Sequence, residues 1–180
     1  MKQETLDRIK VAKTAGYCFG VNRAVKLVYN EAEKSDKKVA TLGPIIHNSD
    51  VVNDMMQKGV RIIESVSELE DGEEVIIRSH GVGSEVYEEL KKDGKQYIDA
   101  TCPFVARIHE IVNEKTKEGY FILIAGDKGH PEVQGIVGHC DENYYVFKDQ
   151  FELNDFFSKK FRKIKKKLAI TAGICYYVFC

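Results

Sequence analysis

Apolar residues fall along this chain in two rhythms: short unbroken runs, and longer stretches in which they recur every three or four positions. The runs Val39 to Leu42, Val60 to Ile63, Glu74 to Arg78, Tyr97 to Ala100, Tyr120 to Ala125, Tyr144 to Phe147 and Leu168 to Ala172 predict strands. Ile9 to Ala15, β-branched and closed by Gly16, predicts a first one. Val21, Ala24, Val25, Val28 and Ala32 keep helical spacing as far as Lys34, with Lys and Glu on the other face. Ser49 predicts the cap of a helix that turns Val51, Val52, Met55 and Met56 inward and stops at Gly59. Ser84 caps another, through Val86, Tyr87 and Leu90 to Gly94. Val105, Ile108, Ile111 and Val112 form the stripe of a longer helix ending at Gly119, Pro131 opens a further helix, and Phe151 to Ser158 gives the last. Strands alternating with helices predict an α/β protein of repeated parallel-sheet units.

Composition narrows the field. At 180 residues the chain can hold one or two α/β units with a real core. Its 27 basic and 28 acidic side chains nearly cancel, so no global field selects nucleic acid as a partner. Seven basic residues among the nine from Lys159 to Lys167 lack interleaved aromatics beyond Phe161 and read as a solvated face. Met1 to Arg8 carries no signal-peptide pattern and no apolar run is long enough to cross a bilayer, so the cytoplasm is the expected compartment and no membrane partner is expected. Five cysteines without close pairs make a poor disulfide framework; in a reducing compartment they serve as ligands, nucleophiles or packing.

Candidate chemistry gathers at the seams. Cys102 sits between a strand and a helix opened by Pro103, where free N–H groups favour thiolate. Cys18, His47, His80 and His130 occupy the same kind of position, after a predicted strand and before a helix, where open parallel sheets bind ligands. Cys18 to His47 spans 29 residues and Cys102 to His130 spans 28, as in a diverged duplication of one α/β unit. Thiolates suit both zinc and iron–sulfur clusters, but zinc prefers close cysteine pairs, which are absent from the sequence. Two thiolates are few for a cluster, and a further 84-residue step past Cys102 falls beyond residue 180, so a third unit and its cysteine are expected to be missing.

Five stretches then carry a resemblance: Ala15-Gly16-Tyr17-Cys18-Phe19-Gly20-Val21, Gly43-Pro44-Ile45-Ile46-His47-Asn48, Arg78-Ser79-His80-Gly81-Val82, Asp99-Ala100-Thr101-Cys102-Pro103-Phe104-Val105 and Gly129-His130-Pro131-Glu132-Val133-Gln134-Gly135. In order, they resemble the motifs of the 4-hydroxy-3-methylbut-2-enyl diphosphate reductase family, which acts last in the non-mevalonate isoprenoid pathway. The resemblance implies α/β units arranged with pseudo-symmetry around a [4Fe-4S] cluster, with Cys18 and Cys102 as iron ligands. It implies that His47, His80 and His130 hold the substrate diphosphate, sharing its counter-charge, and that Glu132 delivers a proton. A small ferredoxin or flavodoxin is the implied electron donor. The first unit would span 1–103, with Cys18, His47 and His80, and the second 104–180, with His130 and Glu132.

The chain departs from the family after Ala172, where Gly173-Ile174-Cys175-Tyr176-Tyr177-Val178-Phe179-Cys180 replaces a substrate-touching loop and suits a truncated or frame-shifted end. Cys175 and Cys180 precede no helix and are not expected ligands; Cys140 reads as packing and His109 as a surface residue. Two other classes compete with the reductase: a non-catalytic remnant that folds and binds diphosphate, and a cysteine–histidine hydrolase using Cys102 and His130. Thiol alkylation and iron chelation separate the last from the first.

Overall fold

Strands that run in one direction need helical crossovers, and each crossover must shield a face of the sheet it spans. The computed structural model of the chain describes residues 8, 10, 12, 13, 15–34, 38–159, 161 and 164–173. In it α1 (Phe19–Lys34), β1 (Val39–Leu42), α2 (Ser49–Gln57), β2 (Arg61–Ile63), β3 (Glu74–Ile77), α3 (Ser84–Lys92) and β4 (Tyr97–Asp99) build a first parallel sheet of order β2-β1-β3-β4. Then α4 (Pro103–Lys117), β5 (Phe121–Ala125), α5 (Pro131–Val137), β6 (Tyr144–Phe147), α6 (Gln150–Lys159) and β7 (Leu168–Ala172) build a second, of order β6-β5-β7. The triplets β2-β1-β3 and β6-β5-β7 share one strand order and one direction, with β4 added at the edge of the first.

The central strands β1, β3 and β5 are largely buried because both faces are covered there, whereas the edge strands β4 and β7 expose Tyr97 and Ile170. Along β1 and β3, Val39 and Ile76 enter a cluster with Ala24, Val28, Ile45 and Met55, while Ala40, Leu42, Val75 and Ile77 enter the opposite one with Ile63 and Leu90. Alternate residues therefore serve opposite layers, the period of two that a strand imposes. In the second sheet Ile122 and Ile124 meet Val112 of α4 and Val133 and Ile136 of α5. Phe156 of α6 stacks on Tyr145 and lies beside Phe121.

Several details differ from the sequence expectation. The strand expected over Ile9 to Ala15 is not formed by the described residues there, where the Ala15 N–H donates to the Ala12 carbonyl in a turn; residues 9, 11 and 14 lie outside the described residues. The cap of α2 is Asn48, not Ser49: its side-chain oxygen accepts from the Asp50 and Val51 N–H groups at 3.1 Å each. Gly83 stands at the cap of α3, which begins at Ser84, whose hydroxyl instead donates to the Gly138 carbonyl at 2.7 Å. Met56 is exposed, leaving Met55 as the buried residue of α2.

One buried residue ties three loops together, through its side chain and its backbone. The Ser79 hydroxyl donates to the Ile45 carbonyl at 3.0 Å, and the Ser79 carbonyl accepts from the Cys102 N–H at 2.9 Å. The loops after β1, β3 and β4 are thereby joined. Ser79→Ala is expected to lower the unfolding free energy by about 1–2 kcal/mol in a urea titration, since it leaves a buried carbonyl without its donor. An unchanged midpoint at unchanged slope would show that the bond adds nothing net.

Candidate active site

The C-terminal ends of β1, β3 and β5 each launch a loop that carries a histidine. His47 directly precedes the α2 cap, His80 follows β3, and His130 is itself the N-cap of α5, with Pro131 in the first turn. The three rings converge: centroids lie 4.7 Å apart for His47 and His80, 5.5 Å for His47 and His130, and 5.7 Å for His80 and His130. One nitrogen from each lies within 4.8 Å of the others. Two sheets thus contribute to one cluster, His130 coming from the second.

His80 is 6 % exposed, and burial, with His47, Arg78 and His130 beside it, pushes its imidazole down to about 3. Burial lowers His47 too, helped by His130 and Arg78. Both shifts disfavour the imidazolium form, and a neutral imidazole offers an N–H donor. The His80 Nδ1 is buried without a hydrogen-bond partner among the described residues.

Three convergent imidazoles can hold a metal ion or an anion, and His130 decides between them. Its Nδ1 accepts the Glu132 N–H at 3.2 Å, so the neutral ring carries its proton on Nε2. A metal at Nε2 would force that proton onto Nδ1, against the Glu132 N–H. Acceptor oxygens, such as those of a phosphate, meet the N–H without rearrangement.

The cysteines lie at two helix starts. Cys102 is the N-cap of α4 and is half-buried; Cys18, exposed, stands one residue before α1 but follows no strand among the described residues. The two starts meet, since a Cβ on Gly20 would lie 2.5 Å from the Cys102 Sγ. Only glycine permits that approach. Arg23, on the same helix as Gly20, donates to the Thr101 carbonyl at 3.1 Å and the Asp99 carbonyl at 3.3 Å, clamping α1 onto the Cys102 loop. Asn48 Nδ2 donates to the Tyr17 hydroxyl at 3.4 Å, joining the His47 and Cys18 loops. Glu132 is fully buried, and its Oε1 would lie 3.2 Å from a Cβ on Gly173, just past β7. The Cys102 thiol makes no hydrogen bond to an imidazole among the described residues.

A family model described as LytB protein matches residues 9–175. The chain belongs to the LytB family. It is 49% identical over 142 residues to the 4-hydroxy-3-methylbut-2-enyl diphosphate reductase of Thermoanaerobacter sp. (strain X514), a match covering 77% of the chain and 49% of that relative. The E-1-hydroxy-2-methyl-but-2-enyl-4-diphosphate reductase from Plasmodium falciparum is similar in structure, with a TM-score of 0.78 at 29% identity, over 89% of this chain and 49% of that one. A second solved structure, (E)-4-hydroxy-3-methyl-but-2-enyl diphosphate reductase, described as the terminal enzyme of the non-mevalonate pathway, gives a TM-score of 0.72 at 38% identity, over 93% of this chain and 68% of that one. The chain spans about half the length of the curated relatives it matches.

Two residues of this LytB chain escaped the sequence reading. His109 is not on the surface but buried beneath Gly81 and Gly135, its ring 4.4 Å from that of His139, whose Nε2 bonds the Val82 carbonyl at 3.1 Å. The pair fills the seam between the two sheets. The signal for His109 was present: it lies between Val105 and Val112 at helical spacing, and those two are buried while Ile111 is 40% exposed. His139 gave none. Cys140, just past the end of α5, is packing as expected, its thiol donating to the Ile136 carbonyl at 3.6 Å and pushed up to about 12, chiefly by burial. Cys175 and Cys180 lie outside the described residues. Among the described residues no helix is long and apolar enough to cross a membrane.

Acid should loosen this arrangement. His80 and His109, at about 3 and about 4 when folded, both return toward 6.5 on unfolding. The unfolded chain takes up protons first, so stability is complete above about pH 6.5 and falls as pH drops toward 4, by up to roughly 1.4 kcal/mol per pH unit for each histidine. His109→Leu should flatten that slope in urea titrations at pH 7, 6 and 5. Equal slopes would remove His109 as a source.

Proposed function

We propose that the chain, with a first unit over 1–103 and a second over 104–180, acts in the cytoplasm as part of a reductase. The reaction removes the allylic hydroxyl of 4-hydroxy-3-methylbut-2-enyl diphosphate, giving isopentenyl and dimethylallyl diphosphate, with a ferredoxin or flavodoxin as electron donor. The observation that carries this reading is the meeting of three imidazoles from two sheets, with His130 tautomerically set to donate. Such a cluster suits the diphosphate end of the substrate. The N–H groups of His47, His80 and His130 hold its oxygens and fix the orientation of the allylic end.

The residues present fit two of the thiolates a [4Fe-4S] cluster needs. Cys18 and Cys102 would hold it, because both are free, both stand at helix starts, and Gly20 brings the first turn of α1 against the Cys102 sulfur. When bound, the cluster supplies electrons and a Lewis-acidic iron for the departing oxygen. Loss of hydroxyl as water also consumes protons. Glu132, two residues after His130 and sealed from solvent, delivers one to the leaving oxygen.

Calorimetry with inorganic pyrophosphate tests the anion site. His80→Asn and His130→Asn should each weaken binding by about tenfold, one hydrogen bond's worth. Equal binding by all three proteins would remove the imidazoles from the site. For the thiolates, anaerobic reconstitution of Cys18→Ser and Cys102→Ser should lower bound iron and sulfide and abolish the resonance signal of the reduced cluster. Iron retained by both variants would rule the assignment out. Turnover with a strong chemical reductant separates the reductase from a form that only binds diphosphate.

A further inference from the structure

Imidazoles that resist protonation leave a question about charge. A diphosphate carries several negative charges at neutral pH, and dipoles alone compensate them poorly once water is excluded. Burial disfavours the charged forms of His47 and His80, so a permanent cation beside them would supply charge that does not depend on their protonation.

Arg78 is placed to supply it. It precedes His80 by two residues in the loop after β3, and its guanidinium is seated against Gly43, in the loop that leads to His47. Gly43, at φ +71°, has no side chain, and a Cβ there would collide with the guanidinium Nη1. The cation is thus wedged between the two loops that carry two of the three imidazoles. It lines a cavity of about 280 Å³ that Glu64, Glu85 and Gln134 also border. Glu64 is close enough to act on it through space, yet neither carboxylate forms an ion pair with it, and it makes no hydrogen bond among the described residues. Its Nε is buried without a partner. A half-buried guanidinium whose Nε donor is cut off from water and unpartnered is costly, unless another anion offsets it.

We infer that Arg78 is an electrostatic positioning residue, a fixed cation behind the histidine cluster that holds the counter-charge of a bound diphosphate. This rests on the diphosphate reading of the cluster. The arrangement divides the work between two kinds of group. The imidazoles select the oxygens by directed N–H bonds, and the guanidinium, out of reach of water on one edge, sets the potential they sit in. Its field also opposes protonation of the rings, which keeps their tautomers defined: Arg78 acts on both His47 and His80.

The test compares Arg78→Gln, which removes the charge, with Arg78→Lys, which keeps it, in the 180-residue chain. Binding of inorganic pyrophosphate is measured by calorimetry at several salt concentrations, and the His47 titration is followed by NMR. Arg78→Gln should weaken pyrophosphate binding by about tenfold or more, flatten its salt dependence, and raise the pH at which His47 titrates. Arg78→Lys should restore all three toward the parent. A role confined to bracing the loops would instead show Lys as defective as Gln, with His47 titrating unchanged, and that result overturns the inference. If the unsubstituted chain fails to bind pyrophosphate, the diphosphate reading fails. The His47 titration then decides alone whether Arg78 sets the potential at the cluster.

Discussion

The hydrogen bonds of Ser79 are the constraint on which the site depends. A serine after the central strand β3 uses its hydroxyl to fix the loop before His47 and its carbonyl to fix the N–H of Cys102, while its own chain continues into His80. Burial makes these bonds matter: the groups they join have no water to turn to, so any other arrangement of the loops leaves a polar atom orphaned. A parallel sheet by itself only delivers loops to a common edge. What converts an edge into a site is the set of bonds that removes their freedom relative to one another.

The same logic extends across the seam. Ser84 reaches from the first sheet to the Gly138 carbonyl, His139 reaches back to Val82, and the His109 ring lies between them. This places α5, with His130 at its cap and Glu132 in its first turn, against the loop that carries His80. The two sheets repeat one strand order, yet the histidine cluster takes two members from one and one from the other. Repetition of the fold and asymmetry of the site coexist because equivalent loops carry different residues.

Much of this was legible in the residues, for identifiable reasons. An apolar run as short as Phe121 to Ala125, flanked by Gly119 and Gly126, suits a strand covered on both sides, and the alternation with helices favours parallel pairing. Pro103 and Pro131 mark helix starts so firmly that Cys102 and His130 could be assigned to caps from sequence alone. The caps at Ser49 and Ser84 were misplaced by one residue, because serine is acceptable both at the cap and in the first turn. Asn48 wins through an Asx bond that sequence spacing does not distinguish. His109 was misjudged because polarity was weighed above position on the helix. The tautomer of His130, the neutrality of His80 and the isolation of Arg78 arise from tertiary neighbours, and no local pattern encodes them.

The order of strands has a consequence for how the molecule is made. All four strands of the first sheet, β4 included, precede residue 100, whereas the last imidazole of the cluster is His130. The pairing of the first sheet and the Ser79 lock on its loops draw on no residue beyond Cys102, so they can form before the second sheet is complete. Completing the cluster then means seating α5 against a sheet that is already paired, at a seam crossed by the Ser84–Gly138 and His139–Val82 bonds.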